Sequence, residues 1–374
     1  MNKEIEEIKE TRRWVIKIGS ALITDNGCGL KHDVLDSWVG QISTLTERGI
    51  DIVIVSSGAV AEGLTRLGWQ DRPKIVSKLQ AAAAVGQMGL IQAYEFCFQK
   101  YSKHTAQVLL THDDIADRTR YLNARTSLNT LLQLGVIPIV NENDTVATDE
   151  IRFGDNDTLA GLVANLIDAE LLILLTDQKG LYTSDPRKNE SAKFIEKAEA
   201  SDPALINYAG KSNTQGRGGM QTKIKAALIA AKSNTDTVIA SGNDELTLLK
   251  IADGNFVGTL LTTSKKTLSA RKQWLANQSY VKGTITIDSG AVSALVKSGK
   301  SLLPIGVKSI TGEFKRGEIV SCVDGKGKEI ARGLSNYNST QARLIIGKSS
   351  KDIQKLLDCA DEDEIIHRDN MILI

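Results

Sequence analysis

No stretch of this chain stays apolar for the roughly 20 residues that a membrane helix needs. The opening run from Met1 to Glu10 is charged where a signal peptide would carry an apolar core. A cytoplasmic location without a membrane association is therefore expected. The four cysteines, Cys28, Cys97, Cys322 and Cys359, include no CxxC pair, so they read as reduced thiols. The four histidines, His32, His104, His112 and His367, are equally scattered and no HExxH occurs, which argues against a zinc site built by the protein. With 46 Lys and Arg against 45 Asp and Glu the net charge is +1, too small to steer nucleic acid or a membrane surface. There is no GxxxxGK[ST] and no GxGxxG after the first apolar run; P-loop NTPases and dinucleotide dehydrogenases are not supported. His367-Arg368-Asp369-Asn370 imitates a protein-kinase catalytic loop, but the other elements of a protein kinase are missing.

What is present is an alternation. Apolar runs at 13–18, 51–56, 107–110, 136–140, 170–177 and 236–240 are interleaved with segments of helical periodicity at 33–48, 73–100, 120–134, 157–167 and 220–233. Fully apolar strands joined through helices predict a parallel sheet covered on both faces. The alanine-rich segment 73–100 reads as a long helix broken by Gly86 and Gly89, and its small residues suit close helix packing, for which a subunit interface is one candidate. After residue 262 the pattern changes. Short strands are expected at 283–287, 302–305, 306–310, 318–322 and 329–331, with helical pieces at 289–297 and 339–346 and glycines between them. We therefore expect an α/β domain over 1–262, a linker over 263–280, and a small β-rich domain over 281–374.

The polar residues are not spread evenly over this pattern. They fall after the strands, where open α/β sheets bind ligands. Lys17 interrupts the first apolar run; either that strand is an edge with Lys17 in solvent, or the ammonium is aimed into a cleft. Ser57-Gly58 opens a helix, as a plain turn or as an anion site. The segment from Asn141 to Thr158 crowds carboxylates and asparagines between a strand and a helix. Thr176-Asp177 ends a further strand, and Gly218-Gly219 precedes a helix that carries Lys223 one turn in. Lysines, a glycine-rich helix start and acidic residues meeting at one crevice are the parts that phosphoryl transfer needs, because that reaction depends on positioning and charge neutralisation.

Several of these segments form a recognisable series. Lys17-Ile-Gly-Ser20, Val55-Ser-Ser-Gly-Ala-Val-Ala-Glu-Gly63, Val140-Asn-Glu-Asn-Asp-Thr-Val-Ala147, Phe153-Gly-Asp-Asn-Asp157, Leu175-Thr-Asp-Gln-Lys-Gly-Leu-Tyr182 and Gly218-Gly-Met-Gln-Thr-Lys223 occur in this order. The series resembles the amino acid kinase family, over residues 13 to about 260, and the tail from about 280 resembles a PUA domain. The resemblance implies a three-layer sandwich around a mainly parallel sheet, plus a small β-rich PUA-like barrel. It also implies transfer of the ATP γ-phosphoryl group to the side-chain carboxylate of L-glutamate, the first step of proline biosynthesis. N-acetylglutamate kinase and aspartokinase are the sibling alternatives. Lys17 and Lys223 would stabilise the transferred group and Asp157 would organise them. Ser57, Gly58, Asp144 and Asn156 would bind the acceptor. Thr176, Asp177, Gly218, Gly219 and Met220, with both lysines, would contact the nucleotide. Mg²⁺ would be held through ATP and water, with no protein ligand. Two positions bear on the match: Arg217 stands where the family has Thr, and Arg152 keeps the expected basic character.

The resemblance further implies a homo-oligomer, dimer or tetramer, and coupling to glutamyl phosphate reductase. A PUA tail is also the basis for a rival reading as an RNA-binding or regulatory protein. Residues 281–374 hold 14 Lys and Arg against 12 Asp and Glu, with a local acidic run Asp361-Glu-Asp-Glu364. That is no basic stripe, and RNA binding is not expected.

Overall fold

The computed structural model describes residues 7–25, 28–147, 156–208, 219–255, 257–263, 281–349, 353 and 363–374. The expectations for Arg152, Arg217, Gly218, the span 148–155 and all but the first residue of the linker 263–280 lie outside the described residues. The chain divides into two compact units, Met1–Ala116 with Ser127–Lys265, and Asp117–Thr126 with Lys266–Ile374.

In the first unit the described residues form an eight-stranded sheet. The principal elements up to residue 262 are β1 (Arg13–Ile18), α1 (His32–Glu47), β2 (Asp51–Ser56), α2 (Ala59–Arg66), α3 (Val76–Gln99), β3 (Thr105–Leu110), α4 (Arg118–Gln133), whose residues up to Thr126 fall in the second unit, β4 (Ile137–Glu142), α5 (Asp157–Leu166), β5 (Leu171–Thr176), β6 (Lys197–Glu199), α6 (Met220–Ala231), β7 (Asp236–Ser241) and β8 (Thr259–Thr262). The spatial order is β6-β8-β7-β5-β1-β2-β4-β3. All neighbours are parallel except β7 and β8, which are antiparallel. β1 is central, paired to β2 on one side and β5 on the other, so the edge-strand reading of Lys17 is discarded. The edge strand β6 and its neighbour β8 were not foreseen. At three and four residues they are too short for periodicity to register.

Side chains alternate across a strand, and in β1 that alternation separates two layers. Trp14, Ile16 and Ile18 join Ile52, Ile54 and Ile173 in a buried cluster with Trp38 and Ile42 of α1 and Tyr94 and Phe98 of α3. The opposite parity, Val15 and Lys17, faces the layer of α5 and α6, since Lys17 pairs with Asp157 at the start of α5. Helices therefore cover both faces, as the uninterrupted apolar strands require.

The glycines of the Ala-rich segment do not break α3, which runs unbroken through Gly86 and Gly89. They let α2 lie against it. A Cβ at Gly86 would stand 1.9 Å from the Ala59 carbonyl oxygen, and one at Gly63 would stand 1.7 Å from the Ala82 carbonyl oxygen. That spacing leaves no room for a methyl group. The opposite side of α3 exposes Val85, Met88 and Phe96.

The second unit contains β9 (Gly283–Ile287), α7 (Ser289–Ser298), β10 (Val307–Gly312), β11 (Ile319–Val323), β12 (Glu329–Leu334), α8 (Ser339–Leu344) and β13 (Met371–Leu373). Its sheet has the order β10-β9-β11-β12-β13 around a core that includes Ile285, Leu295, Val320, Ala331 and Ile366. One expected strand is absent. Residues 302–305 give a single bridge from Leu302 to Ile366 and then a 3₁₀ turn, Pro304–Gly306. Proline has no N–H for a ladder and a φ that suits the first position of a helical turn. The kinase-like His367–Asn370 stretch is likewise a turn, in which His367 Nδ1 accepts from the Asp369 backbone N–H.

Replacing Gly86 by Ala should force α2 and α3 apart and cost about 1–3 kcal/mol. A urea titration of this variant checks it; an unchanged midpoint would show that the two helices are free to separate.

Candidate active site

The C-terminal ends of β1, β2, β4 and β5 carry the polar residues that their own strands cannot use. Lys17 sits one residue before the end of β1 and is 5% exposed. Such an ammonium is tolerated only where an anion meets it. Asp157, wholly buried at the first position of α5, supplies that anion. Its Oδ1 lies 2.5 Å from Lys17 Nζ, and its Oδ2 lies 3.0 Å from Lys223 Nζ. The Thr222 hydroxyl is 2.7 Å from Oδ2 and 2.7 Å from the Gly219 carbonyl oxygen, and donates to one or the other.

This cluster exists because α5 and α6 approach closely. A Cβ at Gly161 would stand 2.6 Å from the Ala226 carbonyl oxygen. One turn along from Gly161 and Ala226 lie Asp157 and Lys223, brought together by that contact. Gly219 caps α6 in extended geometry, and Met220 begins it. The first free N–H groups of that helix and the Lys223 ammonium thus share one end.

Burial by itself would push the Asp157 carboxyl upward. The Lys17 and Lys223 ammoniums outweigh that and, with the Thr222 hydroxyl, hold it well below the usual carboxylate range. Asp157 is therefore a fixed anion and a poor base. It orders two cations that would otherwise repel each other.

Beside the charged cluster lies a chain of amides. Asn156, the residue preceding α5, donates from Nδ2 to the Ser56 carbonyl oxygen at 2.6 Å and to Asn141 Oδ1 at 2.7 Å. This ties the start of α5 to the ends of β2 and β4. Ser57 is buried, and Gly58 adopts φ 103° at the start of α2, a conformation that favours glycine. Asp144 is half-buried in the turn after β4 and lines a cavity of about 500 Å³ with Gln87 and Glu142. Thr176 ends β5, its hydroxyl donating to Asp177 Oδ1 at 3.1 Å.

The geometry joins Lys17, Asp157 and Lys223 by direct contact, and sets Ser57, Gly58, Asn156, Thr176, Asp177, Gly219 and Met220 at the same sheet edge or at helix starts. Three participants were missed from sequence. Thr222 was hidden beside Lys223, Asn141 was read only as part of a polar run, and Gln87 sits in an alanine-rich helix with nothing to mark it. Among the described residues no group of three or more His, Cys, Asp or Glu side chains is placed to hold a metal ion, and no helix is long and apolar enough to cross a membrane.

Residues 12–241 match the model of the amino acid kinase family. The chain belongs to that family. Residues 283–357 match the PUA domain, so this amino acid kinase carries the β-rich domain read from its tail. Among curated relatives, the glutamate 5-kinase of Nitrosospira multiformis is 56% identical over 368 residues, covering 98% of this chain and 99% of that protein. The glutamate 5-kinase of Nitrosococcus oceani is 56% identical over 375 residues, covering 100% of both. That of Pseudomonas syringae pv. tomato is 55% identical over 369 residues, covering 98% and 99%.

Asp157→Asn removes the anion and leaves two buried ammoniums facing each other. At neutral pH it should lower stability by about 3–5 kcal/mol. The native carboxyl lies below its ordinary value of 3.8, so its contribution is full above that value and is lost as pH falls through the lower folded one. Chemical denaturation across pH should show a gap between wild type and variant that is constant above roughly pH 5 and narrows on acidification. A gap that is absent at neutral pH would contradict the ion cluster.

Proposed function

We propose that this chain is an ATP-dependent glutamate 5-kinase that converts L-glutamate to L-glutamyl 5-phosphate, the first step of proline biosynthesis, in the cytoplasm. The observation that carries the reading is the buried Lys17–Asp157–Lys223 cluster at the sheet's ligand-binding edge, in a chain aligned end to end with relatives named for that activity.

The chemistry follows from the charges. A glutamate side-chain carboxylate, with an ordinary pKa of about 4.3, is already ionised at neutral pH. It needs no general base, and Asp157 is unsuited to be one. The obstacle is repulsion between that carboxylate and the phosphates of ATP. Lys17, reaching out from the central strand, and Lys223, at the start of α6, offset that repulsion on two sides of the transferred group. The nucleophile is a carboxylate oxygen. It forms a bond to the γ-phosphorus while the bond to the β,γ-bridging oxygen breaks, and ADP leaves with that oxygen's electron pair. No proton moves in this step. Mg²⁺ enters with ATP as part of the co-substrate, held by phosphate oxygens and water.

In this reading Thr176, Asp177 and the Gly219–Lys223 turn contact the nucleotide. Ser57, Gly58, Asp144 and Asn156 take the acceptor, and Asp144 suits its ammonium. The exposed Val85, Met88 and Phe96 on one side of α3 suit burial against a second copy, which supports a homo-oligomer. The product is an acyl phosphate, open to hydrolysis, so prompt use by glutamyl phosphate reductase fits its chemistry. The PUA-like tail, with its near-balanced charge, supports a structural or regulatory role over RNA binding.

A hydroxamate assay with glutamate, ATP and Mg²⁺ should detect glutamyl phosphate, with N-acetylglutamate and aspartate turned over more slowly. Lys17→Ala and Lys223→Ala should each lower kcat on the order of 100- to 1,000-fold. Full activity in either variant would remove that lysine from the mechanism.

A further inference from the structure

The buried amides of Gln87, Asn141 and Asn156 form a chain whose polarity is set by the backbone at two points. Asn156 Nδ2 lies 2.6 Å from the Ser56 carbonyl oxygen, which can only accept. Asn141 Oδ1 lies 2.9 Å from the Glu142 backbone N–H, which can only donate. Asn141 Oδ1 is thereby the acceptor for Asn156 Nδ2, and Asn141 Nδ2 is a donor. The Gln87 atom 2.7 Å from that donor must be its oxygen. The remaining terminal atom of Gln87 is an amide nitrogen with two protons to give.

That nitrogen is buried and has no hydrogen-bond partner among the described residues, in a side chain that is 8% exposed. Turning the amide over would satisfy nothing, because it would set two donors face to face with Asn141. A buried donor left unpaired is costly, and one kept in a native site calls for a partner from outside the protein chain. Gln87 lines the 500 Å³ cavity that Glu142 and Asp144 also line. The cavity lining therefore combines the amide of Gln87, the carboxylates of Glu142 and Asp144, and the apolar Ala83, Ile91 and Leu109. A ligand that presents a carboxylate to the first, an ammonium to the second and methylenes to the third is an α-amino acid.

We propose that Gln87 is a specificity-determining residue, which takes the α-carboxylate of the acceptor amino acid through Nε2 while its Oε1 holds Asn141 and Asn156 in register. This rests on the reading of the acceptor as glutamate. It divides the substrate between two ends of one site. The side-chain carboxylate goes to the lysine cluster. The α-carbon end goes to Gln87 and Asp144. An N–H donated to a carboxylate is charge-assisted and stronger than a neutral pair.

The test compares L-glutamate with 4-aminobutyrate, which keeps the ammonium and the phosphorylatable carboxylate but lacks the α-carboxylate. ADP release is measured for wild type, Gln87→Met and Gln87→Glu, with the inhibition constant against glutamate used where 4-aminobutyrate turns over slowly. Gln87→Met also removes the oxygen that holds Asn141, so it should lower kcat/KM for both acceptors, with the loss for glutamate roughly 10- to 100-fold the larger and the KM for ATP essentially unchanged. Gln87→Glu keeps an oxygen for Asn141 and sets a second acceptor against the α-carboxylate. Its selective loss with glutamate should be the larger, with no loss for 4-aminobutyrate, because the oxygen that holds Asn141 remains. Equal losses with both acceptors would mean that Gln87 acts only through Asn141, and would overturn the proposal, as would no loss at all. A wild-type enzyme inactive on glutamate would instead overturn the functional reading beneath it. An active wild type with unselective variants would overturn this inference alone.

Discussion

One buried carboxylate, that of Asp157, sits between two buried ammoniums, and the rest of the site depends on it. Lys17 could not lie buried near the end of a central strand without an anion at hand, and Lys223 could not turn inward from α6. The arrangement is expensive to build, because three ions must be desolvated together. Such a cluster is poor evidence of optimised stability. It is well suited to a reaction in which a carboxylate and a polyphosphate must be brought within bonding distance, because the cations are already ordered and stripped of water before the substrates arrive.

The scaffold explains how the cluster is held. Parallel strands bring their C-terminal ends to one edge, and helices pack on both faces. The one lysine of β1 falls on the parity that faces α5 and α6. Close approach at Gly161 and Ala226 sets the separation between the two helices that carry Asp157 and Lys223. The amide chain from Asn156 through Asn141 to Gln87 extends the same ordering away from the charges. The site thus grades from a charged end, suited to phosphate, to an amide and carboxylate end, suited to an amino acid.

Much of this was legible in the chain itself. A lysine inside an apolar strand is conspicuous because its burial has a cost. Asp157 and the Gly219–Lys223 turn sit at helix starts that follow polar stretches of sequence, and the motif series tied them to one family. The long central strands were readable because burial on both faces leaves them without polar interruption. The strands at Lys197–Glu199 and Thr259–Thr262 were not, since neighbours and not periodicity make so few residues extend. Residues 302–305 read as a strand by apolarity, yet Pro304 turns them. Gly86 and Gly89 read as helix breaks or an interface, whereas contact with α2 within the chain uses Gly86. Gln87 carried no signal, because its role comes from partners 54 residues away at Asn141 and not from its neighbours in sequence.

The central claim is that Asp157 acts by ordering the lysines and does no proton chemistry of its own. A double-mutant cycle on kcat with Lys17→Met, Asp157→Asn and the pair tests it most directly. If the carboxylate works through the lysine, the two losses overlap, and the double variant should be less impaired than their product by a coupling of about 1 kcal/mol or more. Losses that multiply without overlap would show that Asp157 and Lys17 act independently, and would contradict the account.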